Sequence, residues 1–458
     1  MKRTSIKPIH KKENTEDISN YRPISILPVL SKVFERSGTD QMVTFLEKNK
    51  IINNNQHAYR KGHSTTTCLV EVANYIYKMI DQNKFTGIAS LDLSKAYDSI
   101  SHTLLLHKLS KMGFSAPSLQ WIKSYLQNRK QVIKFKRFTS DEETVMSGIP
   151  QGSILGPILF ICFTNDLAEI FKSSKMVSYA DDTQIIVQAE TIPQLKKKLE
   201  NAIMNAQKWY EENSMMNNIG KTEFLIVNTR KVKHNITIKV KDEGKYVTIK
   251  PSKTIKVLGI YIDENLNWTR QISEVRKKAS NTIRNLHRIN SIVPMKQKIQ
   301  LYNALVVPHF SYGDIVWGGC GVTNAKRLQT TQNYAAKSIL GMRKYDSATE
   351  ALTKLKFLNL SQRRKVHEAV FTHKALSNNQ PMNINHSYQT LRPTSNTRAA
   401  HSQKLNVPKH NTAKYQQSPF YRTIITWNTL PSNLEYNTTQ QLKSKYQHHL
   451  IQQTYGTH

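Results

Sequence analysis

The sequence predicts an α+β protein with a helical second half, on three observations. Short apolar runs bounded by turn residues mix with amphipathic helical spacing across residues 1–265, the period becomes helical from 266 to 376, and the composition turns polar from 377 to 458. From Ile51 to about Tyr125 the pattern is mixed. Ser101 to Met112 reads as an apolar helix stopped at Gly113, and Ser118 to Gln127 as a second helix with Leu119, Ile122, Tyr125 and Leu126 on one side. Thr191-Ile192-Pro193-Gln194 has the form of a capping box with proline in the first turn, opening a helix that carries Leu195, Leu199, Ala202, Ile203, Ala206 and Trp209 at helical spacing. Ile236, Ile238 and Val240 alternate before an Asp242-Glu243-Gly244 turn and a return over Tyr246 to Ile249, a β-hairpin that leads into Thr254 to Asp263. Beyond Trp268, Ile272, Val275, Ala279, Ile283 and Leu286 draw one apolar stripe along a basic helix. The stretch 377–458 is rich in Asn, Gln, Ser, Thr and His and reads as a weakly structured basic extension.

Charge narrows the partners. Lys and Arg number 66 against 32 Asp and Glu, a formal +34, and clusters such as Lys196-Lys197-Lys198, Arg230-Lys231-Val232-Lys233 and Arg363-Arg364-Lys365 recur along the chain. Such an excess is the footprint of nucleic acid, because releasing counterions from phosphates gives sequence-independent affinity. The longest apolar block, Ile154 to Phe163, is broken by Gly156 and Pro157 and falls well short of the roughly 18 residues of a membrane span, so no membrane partner is expected. The start is basic, without the apolar core of a secretory signal. Cys68, Cys162 and Cys320 lie too far apart for zinc spacing and suit free thiols in an intracellular, reducing compartment, nucleus or cytoplasm.

Against this basic background stand two acidic stations. Asp92 lies within Ile88-Ala89-Ser90-Leu91-Asp92-Leu93, and Asp181-Asp182 lie between Met176-Val177-Ser178-Tyr179 and Ile185-Ile186-Val187, as at the bend of a hairpin. Taken singly, each reads as readily as an edge or turn carboxylate. Taken together, ionised carboxylates in apolar surroundings need a cation, and an oxygen-only donor set suits Mg²⁺. Between the stations runs Ser147-Gly148-Ile149-Pro150-Gln151-Gly152-Ser153-Ile154-Leu155-Gly156-Pro157, a loop whose glycines allow close backbone approach, followed by a helix with Leu159, Phe160 and Ile161.

In this order the blocks resemble the reverse transcriptases of non-LTR (LINE-like) retrotransposons. Asn20-Tyr21-Arg22-Pro23-Ile24-Ser25 and Gln56-His57-Ala58-Tyr59-Arg60-Lys61-Gly62-His63-Ser64-Thr65 resemble two fingers blocks, Leu91 to Asp98 the first palm motif, the Gly-rich loop the second, and Tyr179-Ala180-Asp181-Asp182 the third. Asn218 to Thr222 is similar to the fourth, Leu258-Gly259 to the primer grip, Leu301-Tyr302, Pro308, Tyr312-Gly313 and Trp317 to the thumb region, and Trp427 to Pro431 to a C-terminal block.

The resemblance implies a right-hand polymerase of fingers and palm (1–265), a helical thumb (266–376) and an extension (377–458). It implies RNA-directed DNA synthesis from dNTPs on an RNA template, extending a DNA primer at target DNA. Asp92, Asp181 and Asp182 would be the catalytic metal ligands for two Mg²⁺ ions, with Mn²⁺ as a substitute, and the Leu93 carbonyl would be a further ligand. Arg60 would lie over the triphosphate, Tyr97 would exclude a ribose 2′-hydroxyl, Gln151 and Gly152 would border nucleotide and template, and Lys221 would give a proton to pyrophosphate. Leu258 and Gly259 would grip the primer. The chain opens a few residues before Asn20 with no endonuclease domain ahead of it, and ends without a Cys- and His-rich knuckle. The reading is therefore a truncated copy whose nicking activity comes from a missing domain or another protein, the alternative being a catalytically silent RNA-binding remnant.

Overall fold

The computed structural model describes residues 2–11, 14–227, 236–242, 244–392 and 404–456. The basic cluster Arg230–Lys233 and the turn residue Glu243 lie outside them. Strands β1 (Arg3–His10) and β2 (Tyr21–Ile26) open the chain as an antiparallel pair with Ile6 opposite Ser25. Helix α1 (Val29–Lys48) follows, then α2 (Thr65–Asp81), which a reciprocal box between Ser64 and Thr67 starts and whose residues are buried almost all round. Strand β3 (Phe85–Leu91) runs to Asp92 and continues as the two-residue β4 (Leu93–Ser94).

Ser101 caps α3 (His102–Lys111), and Gly113 stops it at φ +87°. Helix α4 (Ala116–Leu126) begins two residues before the predicted start because Ser115 accepts from the Ser118 N–H and Pro117 fits the first turn. Strand β5 (Arg129–Phe135) returns parallel to β1, and β6 (Phe138–Thr139) and β7 (Glu143–Val145) pair with it, completing a five-stranded fingers sheet.

Helix α5 (Gly156–Phe163) is buried along nearly its whole length. It lies beneath β8 (Lys175–Tyr179), β9 (Asp182–Ala189), α6 (Ile192–Glu212), the short β10 (Met216–Asn217) and β11 (Glu223–Val227). The palm sheet has the antiparallel order β11-β3-β9-β8. Its period of two feeds two cores. Ile88, Ile186, Leu225 and Val227 join one with α2 and the thumb, while Ala89, Leu91, Ile185, Val187, Phe224 and Ile226 join the other with α5 and α6. Hairpins β12 (Ile238–Asp242)/β13 (Lys245–Ile249) and β14 (Thr254–Val257)/β15 (Ile260–Asp263) follow as predicted.

The helical second half begins with α7 (Thr269–Arg288), whose buried face includes Ile272, Val275, Ala279 and Ile283, the stripe read from the sequence. After α8 (Met295–Leu301), α9 (Val307–Ser311) and α10 (Asp314–Trp317) come α11 (Val322–Leu340), α12 (Ala348–Leu355) and α13 (Leu360–Leu376).

The expectation for 377–458 needs correction. Among its described residues the segment forms α14 (Met382–Gln389), α15 (Pro419–Asn428) and α16 (Thr439–Tyr455), capped at Ser418 and Thr438. Ile424, Trp427 and Leu442 enter the thumb core, and Tyr446 and Leu450 pack with Val366 and Ala369 of α13. A buried ionic tie adds direction: Arg422 donates to Glu368 at 2.6 Å and to the Ile315 carbonyl at 2.7 Å, and Thr426 donates to the other Glu368 oxygen at 2.6 Å. The polar composition misled because a few apolar residues at helical spacing suffice when a preformed helix receives them.

Candidate active site

The two acidic stations meet through the register of the palm. Leu91 at the end of β3 lies opposite Thr183 near the start of β9, so Asp92 and Asp182 emerge side by side at one end of the sheet. Tyr179 pairs with Asp182, leaving Ala180-Asp181 as a two-residue turn with Ala180 at φ +55°, a conformation that costs a residue with a Cβ of order 1–3 kcal/mol. Burial raises Asp181 and Asp182 above the ordinary carboxylate range. For Asp182, partial desolvation of the carboxylate together with repulsion from Asp181 and Asp92 brings the value to about 6. Arg22, exposed on β2, counters the rise at Asp181. The Lys221 ammonium lies 3.4 Å from Asp92 Oδ2, and the Asn218 N–H donates to the Asp92 carbonyl at 3.2 Å. Leu93, buried, pairs with Asn217 of β10, which ties the first station to the segment bearing Lys221.

Gln56, not singled out as a site residue by sequence, holds the turn. Its buried amide oxygen accepts from the Ala180 N–H at 3.0 Å and the Ala58 N–H at 2.9 Å, and its Nε2 donates to the Ala180 carbonyl at 3.4 Å. Residues on either side of it bond along β8, His57 N–H to the Ser178 carbonyl and Ser178 N–H to the Asn55 carbonyl, both at 2.9 Å. Behind them His57 bonds Thr67 and Glu71, and Glu71 also takes Lys175 at 2.5 Å and Asn383 of α14 at 3.2 Å. Burial alone would raise Glu71, but its bonds to His57 and Lys175 hold it down at about 2. The only sequence signal was the placement of Gln56 at the head of the second fingers block; its partner lies 124 residues away.

Tyr97 stacks on buried Phe160, centroids 4.7 Å apart and planes 18° apart, and its hydroxyl lies 3.1 Å from that of Tyr59. The Gly-rich loop closes on the same segment: the Ile149 N–H donates to the Tyr97 carbonyl at 2.8 Å, and a Cβ on Gly148 (φ +84°) would meet the Asp98 carbonyl oxygen at 2.7 Å. Gln151 Nε2 donates to both Asp98 oxygens, at 3.0 and 3.1 Å, beside a cleft of about 350 Å³ lined also by Pro23, Ser25 and Arg129. Gly152, at φ +112°, brings its backbone against the Ser25 carbonyl oxygen of β2, where a Cβ would stand at 2.7 Å. Leu258 and Gly259 form the two-residue turn of β14/β15, both at positive φ, and the Leu258 carbonyl accepts from the Tyr312 hydroxyl at 2.6 Å.

Arg60 departs from its expected place. Its side chain, 7% exposed, donates through Nε to Glu47 at 2.9 Å and through Nη1 to the Asn53 and Gln56 carbonyls at 2.9 and 3.3 Å. The guanidinium thus braces the loop carrying Gln56 against α1, its donors engaged by Glu47 and two backbone carbonyls. The sequence could not show this, because Glu47 is an unremarkable exposed-looking helix position until the loop folds onto it.

Residues 9–262 match the family described as reverse transcriptase (RNA-dependent DNA polymerase). The chain belongs to the reverse transcriptase family. It is 26% identical over 344 residues to the probable RNA-directed DNA polymerase from transposon X-element of Drosophila melanogaster, covering 73% of this chain and 37% of that relative. It is 27% identical over 352 residues to the corresponding polymerase from transposon BS of the same organism, covering 74% and 38%. To the RNA-directed DNA polymerase from mobile element jockey of Drosophila funebris it is 25% identical over 373 residues, covering 78% and 40%. The chain thus spans about two fifths of the length of the curated relatives it matches. Among solved structures, apo telomerase from Candida tropicalis aligns at TM-score 0.42 and 11% identity, covering 77% of this chain and 61% of that one.

The reverse transcriptase palm offers a metal an all-oxygen donor set whose charges repel one another, the chemistry a hard divalent cation relieves. Among the described residues no three acidic, histidine or cysteine side chains are drawn to a common ligand spacing, and Asp92 is turned toward Lys221. The fit is therefore one of donor type and electrostatics.

Proposed function

We propose that the chain is the RNA-directed DNA polymerase of a non-LTR retrotransposon, extending a DNA primer, target DNA included, on an RNA template with dNTPs. The observation that carries this reading is the convergence of Asp92, Asp181 and Asp182 at one end of the palm sheet, close enough for mutual repulsion to raise Asp182. Two Mg²⁺ ions, or Mn²⁺ in their place, held by the three carboxylates and the Leu93 carbonyl, would supply activation of the primer 3′-hydroxyl and neutralisation of the triphosphate.

The chain's own residues do the rest. Tyr97, fixed against Phe160, limits the sugar; Gln151 and Gly152 border the nucleotide at the cleft; Leu258 and Gly259 present the primer end from their turn. Lys221 Nζ gives a proton to the leaving pyrophosphate. The triphosphate contact expected of Arg60 passes to Arg22, which is exposed and already senses Asp181. No observation favours a silent RNA-binding remnant.

Primer extension on an RNA template with dNTPs and Mg²⁺ tests the reading. Wild type should extend, and Asp181→Ala should lose at least about a thousandfold in rate. Absence of extension by folded wild type, or equal extension by the variant, overturns it.

A further inference from the structure

Tyr59 is an aromatic residue at φ +58°, in the left-handed region where a bulky side chain is a genuine outlier, and it is 47% exposed. Among the described residues, the hydroxyl it places pairs with the Tyr97 hydroxyl at 3.1 Å. Tyr97 has two constraints. Buried Phe160 backs its ring face, and Tyr59 holds its polar tip. Burial, with Tyr59 next in effect, keeps the Tyr97 phenol far above its ordinary pKa, so it stays a neutral hydroxyl able both to donate and to accept.

That hydroxyl is a chemical liability in a group meant to exclude a 2′-hydroxyl. The ring edge opposes a ribose sterically, but a free phenol O–H could hydrogen-bond the very group to be refused. We propose that Tyr59 is a specificity-determining residue of the polymerase: by pairing with the Tyr97 hydroxyl it occupies part of that group's hydrogen-bonding capacity, so that the gate offers a ribonucleotide less than an unpaired phenol would. The inference rests on the polymerase reading and on the gate role of Tyr97. Tyr59 does not touch the reacting atoms; it acts through Tyr97.

Single-nucleotide incorporation of dNTP and of the matching NTP, on one RNA template and primer, is measured for wild type, Tyr59→Phe, Tyr97→Phe and the double variant. The ratio of kcat/KM for dNTP over NTP should fall about five- to tenfold in Tyr59→Phe, the worth of one hydrogen bond gained by the ribonucleotide. In the Tyr97→Phe background, where no hydroxyl remains at 97, adding Tyr59→Phe should leave the ratio where Tyr97→Phe alone puts it. An unchanged ratio in Tyr59→Phe overturns the proposal. A ratio that falls in Tyr59→Phe and falls equally when Tyr59→Phe is added to Tyr97→Phe also overturns it, because Tyr59 would then only brace the ring. Wild type that incorporates neither nucleotide overturns the polymerase reading and this inference with it, whereas selective wild type with an unaltered Tyr59→Phe overturns the inference alone.

Discussion

Gln56 directs both ends of its side-chain amide at Ala180, so leucine in its place, similar in size, strands a buried N–H and a carbonyl and costs about 1–3 kcal/mol. Because Ala180 already sits at an unfavourable φ, losing the clamp lets the turn relax and moves Asp181. Gln56→Leu should lower kcat for dNTP incorporation at least about tenfold with KM changed far less, read by steady-state kinetics beside urea unfolding. A fall in stability with kcat intact would assign Gln56 to folding alone. At this scale the sequence was half legible. Carboxylates embedded in apolar runs announce themselves, whereas Gln56 and Arg60 take their meaning from partners on other elements, and no local pattern distinguishes a glutamine that clamps a turn from one in water.

Asp263 shows how one carboxylate joins two elements. At the end of β15 it accepts from the Asn265 N–H at 3.1 Å, the Asn267 N–H at 2.9 Å and the Trp268 N–H at 2.6 Å, fixing the reversal from the β14/β15 hairpin into α7. Trp268, fully buried at φ +62°, then donates to the Tyr77 hydroxyl of α2 at 3.4 Å. Asp263→Ala removes all three acceptor bonds and should cost about 2–4 kcal/mol, measured by urea unfolding, while Asp263→Asn should keep much of the loss from occurring. Elements of this kind were readable where period and cap coincide, as in α3 and α6, or where the period alone is strong, as in α7. The C-terminal helices were not, because composition outweighed the spacing of Leu442, Tyr446 and Leu450, whose burial needs a receiving helix the local sequence does not contain.

Across the whole molecule, fingers, palm, thumb and extension share cores. Cys68 to Ile80 of α2 lie in the same cluster as Ile283, Phe371, Ile424 and Leu442, and Asp81 at the end of α2 accepts from the Asn411 and Thr412 N–H groups at 2.9 and 2.8 Å. The large side chains that α15 and α16 bury are each worth about 1.5–3 kcal/mol gross, which together rivals the net stability of a folded domain. Removing everything after Leu376 should therefore lower Tm by more than about 10 °C or leave the chain insoluble, checked by thermal melting and soluble yield. An unchanged Tm would show that the extension folds as a bystander. The fold class was legible because an alternating sheet and amphipathic helices carry their own periods; the sharing of cores was not, since it depends on contacts hundreds of residues apart.

The stitching of residues 55–57 along β8 has a consequence for the life of the chain before it is complete. Strand β8 is the outer strand of its sheet, and Ser178, next to apolar Val177, would otherwise present its N–H and carbonyl unpaired, a template for pairing between molecules. The same loop that holds the Ala180-Asp181 turn therefore guards against aggregation, and a weakened Gln56 or Arg60 should show first as protein lost to inclusion bodies.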